Sequence, residues 1–339
     1  MMATVLVTGG AGYIGSHTVI ELLKAGHRVV IVDNLSNSHI EVIDRISAIT
    51  GTRCEFMCLD ITDRSALLNV FSKYAIDAVM HFAGLKSVSE SIEEPLAYYH
   101  HNVVGSQSLL SCMLEAGIYK LVFSSSATVY GDCNNIPYKE DLALGKSTSV
   151  YGQTKQIIEH MITDVCHANA GFDALSLRYF NPIGAHSSGQ LGEWPKNKCH
   201  NVMPALCEAA LKKRPFAVYG NDFPTQDGTC RRDYIHVMDV AKGHVDALHL
   251  LLSKERMQHR QINLGAGTPI SVLELVNAFK HYNQAEVTVK YNPARAGDLP
   301  EFWADSSKAK EVLGWQANKD LPEMVKDAWR WALNMPDVQ

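Results

Sequence analysis

Tyr151 and Lys155 stand four positions apart, and in an α-helix that spacing puts both side chains on one face. A phenol beside an ammonium is a proton-transfer pair. A free tyrosine titrates near pH 10, too high for a general base at neutral pH, and a neighbouring cation lowers that value. Taken alone, the Tyr-x-x-x-Lys spacing is common by chance and describes a weak surface pair equally well. A third group narrows the reading. The run Ser124-Ser125-Ser126-Ala127-Thr128 closes an apolar segment of strand length, and Ser126 precedes Tyr151 by 25 positions. A hydroxyl at the carboxyl end of a central strand can bond the oxygen whose proton the phenolate removes, the alternative being a capping or turn serine.

The chain opens on a second chemical signal. The apolar Val5-Leu6-Val7 runs into Thr8-Gly9-Gly10-Ala11-Gly12-Tyr13-Ile14-Gly15, followed by helix-period residues to Ala25 and a stop at Gly26. Gly9 permits the tight turn, Gly12 lets the backbone approach a pyrophosphate, and Gly15 lets helix and strand pack closely. The helix start then offers unpaired N–H groups to phosphates. Asp33 falls 24 positions after Gly9, where a carboxylate accepts from adenosine ribose hydroxyls. The residues after it, Asn34-Leu35-Ser36-Asn37-Ser38, contain no arginine for a 2′-phosphate, so the cofactor expected is NAD rather than NADP. Asp60 either reaches the adenine edge or caps a helix ahead of Ser65 and Leu67. A nicotinamide beside Tyr151 adds positive charge and completes a device that moves a hydride on and off an alcohol carbon.

These residues need a scaffold that gathers strand ends. Strands are expected at 4–8, 28–32, 55–59, 78–82, 121–125 and 174–178, alternating with helical stretches, which means a parallel α/β sheet covered on both faces. Open sheets of this kind bind ligands beyond the carboxyl ends of their strands, where the residues above fall. Pro95 suits the first turn of a long helix expected over 95–116, with Gly117 as its stop. Past Phe180 the texture changes to proline, glycine, asparagine and short apolar segments. The division expected is therefore a Rossmann-type, doubly wound NAD-binding domain over 1–180 and a smaller, mainly substrate-binding lobe over 181–339. A strand-then-helix signal at 234–252 suggests that about 233–264 rejoins the NAD domain. A final helix at 321–333 lines up Leu321, Met324, Val325, Ala328, Trp329 and Ala332 as a core face.

Composition sets outer limits. The 339 residues are 46% hydrophobic and 20% charged, as in an ordinary globular protein large enough for two lobes. A net charge of −5 supplies no basic field for nucleic acid or an anionic membrane. The first residues lack the pattern of a secretory signal, and no apolar run reaches the roughly 18 residues of a membrane span, so a cytoplasmic location is expected. The eight cysteines, at 54, 58, 112, 133, 166, 199, 207 and 230, form no Cys-x-x-Cys pair and are expected as free thiols. The fifteen histidines lack zinc-site spacing, so no metal is expected, and His100 and His101 read as helix-surface residues.

Six segments carry a resemblance that spans essentially the whole chain: 7–15, 81–86 (His-Phe-Ala-Gly-Leu-Lys), 123–131, 151–155 (Tyr-Gly-Gln-Thr-Lys), 177–182 (Leu-Arg-Tyr-Phe-Asn-Pro) and 232–237 (Arg-Asp-Tyr-Ile-His-Val). In these the chain resembles the extended short-chain dehydrogenase/reductase family, specifically its UDP-hexose 4-epimerases. The resemblance implies tightly held NAD, UDP-glucose and UDP-galactose as substrates, and a homodimer formed by helices near 95–116 and 152–168. It implies Tyr151, Lys155 and Ser126 as the catalytic set. Gly9, Gly12, Tyr13, Ile14, Gly15, Asp33, Asn34, Asn37, Ser38, Asp60, Ile61, Phe82, Ala83, Gly84, Lys86, Asn102 and Phe180 would join Tyr151 and Lys155 around NAD. Lys86, Ser126, Tyr151, Asn181, Asn201, Val202, Tyr219, Arg232, Arg295, Asp298 and Phe302 would surround the nucleotide sugar. The arginines suit this role because guanidinium pairs with phosphate in a two-pronged fork. Leu59 stands where such families usually have glycine, and His101 where a small or amide side chain often precedes Asn102. The bulk of Phe302 would crowd a 2-acetamido group. Two other readings share the fold. A 4,6-dehydratase places an Asp-Glu pair after its active-site threonine, where this chain has Ala127 and Thr128. A non-catalytic NAD-binding regulator would have no need for tyrosine and lysine on one helical face.

Overall fold

In a computed structural model, which describes residues 2–133, 135–196, 201–253, 256–295 and 297–336, the first half of the chain and one later strand form a parallel sheet. Its seven strands lie in the order His259–Leu264, Asp173–Tyr179, Lys120–Ser126, Ala78–His81, Thr4–Thr8, Arg28–Asp33 and Glu55–Cys58, all parallel. The reversal of strand order falls between Thr4–Thr8 and Ala78–His81, which opens a crevice at their carboxyl ends. Expected and observed strands agree to within a residue at each end.

Alternation along the first strand shows how two cores form. Val5 and Val7 pack into a cluster with Val19 and Ile20 of the Tyr13–Lys24 helix and Val240 and Leu248 of the Val237–Leu252 helix. Leu6 points the other way, into a cluster with Leu67, Leu109 and Ile158. All of these side chains are at most 1% exposed, and burial of each contributes about 1.5–3 kcal/mol.

The 95–116 stretch is less uniform than its sequence suggests. It comprises Pro95–Tyr98, a π-helical turn over Tyr99–Val104 and the α-helix Gly105–Glu115, ending at Gly117 with φ of 73°. The 234–252 signal is the short strand Tyr234–His236 followed by the helix Val237–Leu252, which packs on the Tyr13–Lys24 helix, and His259–Leu264 extends the main sheet. A third core gathers residues from beyond 181. Met324, Val325 and Ala328 of the Leu321–Asn334 helix pack there with Leu206, Phe216 and Phe279, and Leu321, Trp329 and Ala332 flank them. A fourth, small cluster of Val129, Tyr130, Tyr138, Phe180 and Ala304, with Phe302 against it, lies where the two halves meet. Among the described residues no group of histidine, cysteine and acidic side chains could hold a metal ion, and no helix is long and apolar enough to cross a membrane. Seven of the eight cysteines are free thiols, and Cys199 lies outside the described residues.

Candidate active site

The glycine loop is shaped by close approach. Gly9 has φ of 72°, and a β-carbon there would lie 2.5 Å from the backbone nitrogen of Ala83; one on Gly15 would lie 2.2 Å from the Gly9 carbonyl. The Tyr13–Lys24 helix begins without a side-chain cap, so its first N–H groups face the crevice and suit a pyrophosphate. Tyr13 donates its hydroxyl to the Gly184 carbonyl at 2.7 Å, tying this helix to the start of the second half. Ile14 packs against the core beside it.

At the adenosine end, Asp33 is 8% exposed and accepts from the Ala11 N–H at 3.0 Å, the Leu35 N–H at 2.9 Å and the Ser38 hydroxyl at 2.9 Å. Ser38 thus holds the carboxylate that is expected to meet the ribose. Asp60 is not the helix cap. Asp63 takes that position on Arg64–Lys73 and accepts from the Ala66 N–H, while Asp60 accepts from Asn34 Nδ2 at 2.7 Å and from the Thr62 N–H and hydroxyl. Burial disfavours the Asp60 charge, but the bonds from Thr62 and Asn34 and the nearby His101 outweigh it and hold the carboxyl below its ordinary value. Ile61 is buried against Gly105.

Phe82, Ala83, Gly84 and Lys86, expected around the cofactor, form the loop after the fourth strand. Asn102 fixes it from the π-helical turn, accepting from the Leu85 N–H at 2.7 Å and donating to the Leu85 carbonyl at 3.0 Å and to Thr154 Oγ1 at 3.1 Å. Asn102 therefore acts on the site through this loop and through Thr154, the neighbour of Lys155. Phe82 leans on His244 and Phe180 on Phe302, with ring centroids 4.6 and 5.1 Å apart.

Ser149 caps the Val150–Ala168 helix, accepting from the Gly152 N–H, and this starts the helix where Tyr151 and Lys155 reach the sheet edge. Burial pushes the Tyr151 phenol upward. Ser126 and the charge of Lys86 oppose that rise, a part that the sequence reading gave to Lys155. Ser126 Oγ accepts from the Thr128 N–H at 3.2 Å and the Thr128 hydroxyl at 3.0 Å, so its own proton is directed to the Tyr151 side. Lys155 is 5% exposed and donates to the Ser124 carbonyl at 2.8 Å, with its ammonium 5.8 Å from the centre of the Tyr151 ring. Burial pushes this lysine down to about 8, against the pull of Glu159.

Behind this set lies machinery that the sequence reading missed. Glu159, one turn beyond Lys155, accepts from the Ser125 hydroxyl at 2.5 Å and pairs with Arg178 through two bonds of 3.0 and 2.6 Å. Arg178 also lies 5.0 Å from the centre of the Tyr130 ring, and the Tyr130 hydroxyl donates to Asn263 Oδ1 at 2.7 Å. Tyr179 is hydrogen-bonded to Ser124. A charged Arg178 inside the apolar strand Asp173–Tyr179 was the available signal, since a buried cation requires a partner.

On the other side of the crevice, Asn181 Oδ1 is buried with no protein partner among the described residues, as expected of an atom that meets a ligand. Arg232 donates to the Leu299 carbonyl at 2.7 Å and lies 3.5 Å from Asp298, while the Arg295 guanidinium covers the Tyr219 ring at 3.9 Å. Asn201 precedes the Val202–Leu211 helix and donates to Glu193 at 2.7 Å, and the same oxygen receives Lys86 at 2.6 Å. Glu193 was also missed; no motif marks it.

The sheet, the glycine loop and the Ser-Tyr-Lys set define an extended short-chain dehydrogenase/reductase. A family model described as GDP-mannose 4,6 dehydratase matches residues 6–328. A UDP-glucose 4-epimerase of Neisseria meningitidis serogroup C is 49% identical over 338 residues, covering 99% of each chain. The structure of a UDP-glucose 4-epimerase from Stenotrophomonas maltophila, with bound NAD and formylated UDP-arabinopyranose, superposes with a TM-score of 0.95 at 46% identity, covering 98% of each chain. That of the Bifidobacterium longum enzyme in complex with NAD+ and UDP gives 0.94 at 40% identity, covering 98% of this chain and 99% of the other. With likeness of this order along its whole length, the chain belongs to the UDP-glucose 4-epimerase family.

The buried lysine makes a measurable demand on stability. Its folded pKa of about 8 lies below the unfolded value of about 10.4, so between these values the unfolded chain binds the extra proton and stability rises with pH. Relative to Lys155→Met, the wild-type free energy of unfolding should climb over that window, as urea titrations at stepped pH would show. Parallel curves would mean that the ammonium is better solvated than its burial implies.

Proposed function

We propose that this chain interconverts UDP-glucose and UDP-galactose at C4, with NAD as a resident cofactor. The reading rests on one observation above the rest: Ser126, Tyr151 and Lys155 converge at the sheet edge beside the cofactor loops, with the unpartnered Asn181 Oδ1 in the second half. The site fits NAD. Gly9 and Gly15 form a cradle that any β-carbon would fill, and Asp33 is set beside it by Ala11, Leu35 and Ser38. Bound NAD supplies a hydride acceptor and returns the hydride to the sugar.

The protein's own groups handle the proton and the orientation. Tyr151 takes the proton of the sugar 4-hydroxyl while Ser126 donates to the same oxygen. Lys155, anchored on the Ser124 carbonyl, holds the nicotinamide ribose. Oxidation yields a 4-keto sugar, and Tyr151 gives the proton back when that ketone is reduced on its other face. Asn181, Asn201, Val202, Tyr219, Arg232, Arg295 and Asp298 grip the nucleotide diphosphate, so binding energy is spent away from the hexose and leaves it free to turn. No carboxylate follows Ser126 at 127 or 128, so the 4,6-elimination lacks its acid at that place.

The exposed apolar side chains Leu96 and Val104, 80% and 45% accessible, support a homodimer formed through the helices near 95–116 and 152–168. The free thiols suit a reducing cytoplasm.

Three outcomes are expected. Purified protein given UDP-galactose and no cofactor should form UDP-glucose by NMR, and Tyr151→Phe should lower the rate at least 100-fold; no conversion even with NAD supplied would sink the reading. The Phe302 ring, wedged against Phe180 and Tyr138, should exclude a 2-acetamido group. UDP-N-acetylgalactosamine should therefore turn over poorly until Phe302 is cut to alanine, and equal rates in the two proteins would refute this. Light scattering should give the mass of two chains for the wild type and one for Leu96→Asp; a wild-type mass of one chain excludes the dimer.

A further inference from the structure

Glu193 sits where three parts of the site meet. It is 8% exposed, and its Oε1 accepts from Lys86 Nζ at 2.6 Å and Asn201 Nδ2 at 2.7 Å. Lys86 belongs to the loop after the fourth strand, whereas Asn201 begins a helix of the second half. A single carboxylate oxygen thus joins the two banks of the crevice. Removing a carboxylate this far from water is costly unless its donors are fixed, and here its own backbone is also clamped. The Glu193 carbonyl accepts from Trp331 Nε1 at 3.1 Å. The next residue, Trp194, stacks on His39 with centroids 4.0 Å apart, and the Arg45 guanidinium lies 5.3 Å from the Trp194 ring and 5.4 Å from the Trp331 ring. Lys196 then donates to the Leu35 carbonyl at 2.7 Å, on the adenosine loop.

We propose that Glu193 is a positioning residue of the epimerisation, holding Lys86 and Asn201 on one carboxylate so that the charge reaching Tyr151 and the grip on the nucleotide sugar are set together. This rests on the roles given to Lys86 and Asn201 above. Facing Tyr151 are Ser126, Lys86, Tyr179 and Lys155, the last 5.8 Å from the ring centre; of the charged groups it is Lys86 that favours its phenolate. The ion pair with Glu193 draws the Lys86 ammonium to its own side, so neutralising Glu193 releases Lys86 from that pair and turns more of its charge toward the phenol.

The test is a set of pH–rate profiles with UDP-galactose for wild type, Glu193→Gln, Glu193→Ala, Lys86→Met, Asn201→Ala and the double variant Lys86→Met/Glu193→Gln. Glu193→Gln keeps size and an acceptor oxygen but removes the charge. The acid limb of its kcat profile should move to lower pH by roughly half a unit, and Lys86→Met should move it the other way. In the double variant the glutamine should cause no further shift. Glu193→Ala should raise the KM for UDP-galactose about tenfold through the loosened Asn201, with partial rescue in the glutamine variant. NAD content, read by absorbance after denaturation, should fall in Glu193→Ala as Lys86 loses its anchor. An unmoved limb in Glu193→Gln, or a shift that persists without Lys86, overturns the proposal. If Lys86→Met and Asn201→Ala themselves change neither limb nor KM, the site assignment has failed instead.

Discussion

Keeping a lysine ammonium dry at the carboxyl end of a central strand is the constraint around which the site is organised. Lys155 gives up water for the Ser124 carbonyl and the face of Phe123. Neither offsets a buried charge fully, and its pKa falls accordingly. The carboxylate that opposes this fall, Glu159, is itself buried and must be paired, which brings Arg178 to the carboxyl end of the strand Asp173–Tyr179. Arg178 in turn needs a face to lie on and finds Tyr130, whose hydroxyl is satisfied by Asn263 of the edge strand. One charge needed for chemistry therefore dictates side chains on three strands and a helix, and the cost of holding it is spread over a network in which most groups have partners.

A second constraint is steric. The glycine turn, the loop after the fourth strand and the π-helical turn lie so close that two of the contacts would be disrupted by a single carbon: one on Gly9 would strike Ala83, and one on Gly84 would strike Asn102. Asn102 also reaches Thr154, whose hydroxyl donates to the Tyr151 carbonyl. The cofactor cradle and the proton-transfer helix are thus set by one side chain, and the geometry between hydride acceptor and base is fixed by packing.

Much of this was legible in the sequence because it is local. Strand alternation, the glycine spacing and the four-residue interval from Tyr151 to Lys155 each follow from the period of one element, and the structure places Ser126, Tyr151 and Lys155 together. The groups that escaped notice act across elements. Glu193 gains its meaning from Lys86, 107 positions away, and Glu159 from a strand that follows its helix. Asp60 left two readings open because an aspartate before a helix looks the same whether it caps or not; Asp63, three positions on, does the capping. The break in the 95–116 helix left no mark either, since a π-helical turn has no residue that announces it, as proline or glycine announces an end.

That turn bears on how this chain is compared with others. A π-turn holds one residue more than the α-helix around it, so the Gly105–Glu115 helix is rotated by about 100° from the phase that Pro95–Tyr98 would project. A helical wheel drawn through the whole stretch mislabels every position after Val104. Loss of a single codon within Tyr99–Val104 would restore a regular α-helix while keeping its later residues on the faces they now occupy, which makes this turn the place in the stretch where a one-residue deletion is best absorbed.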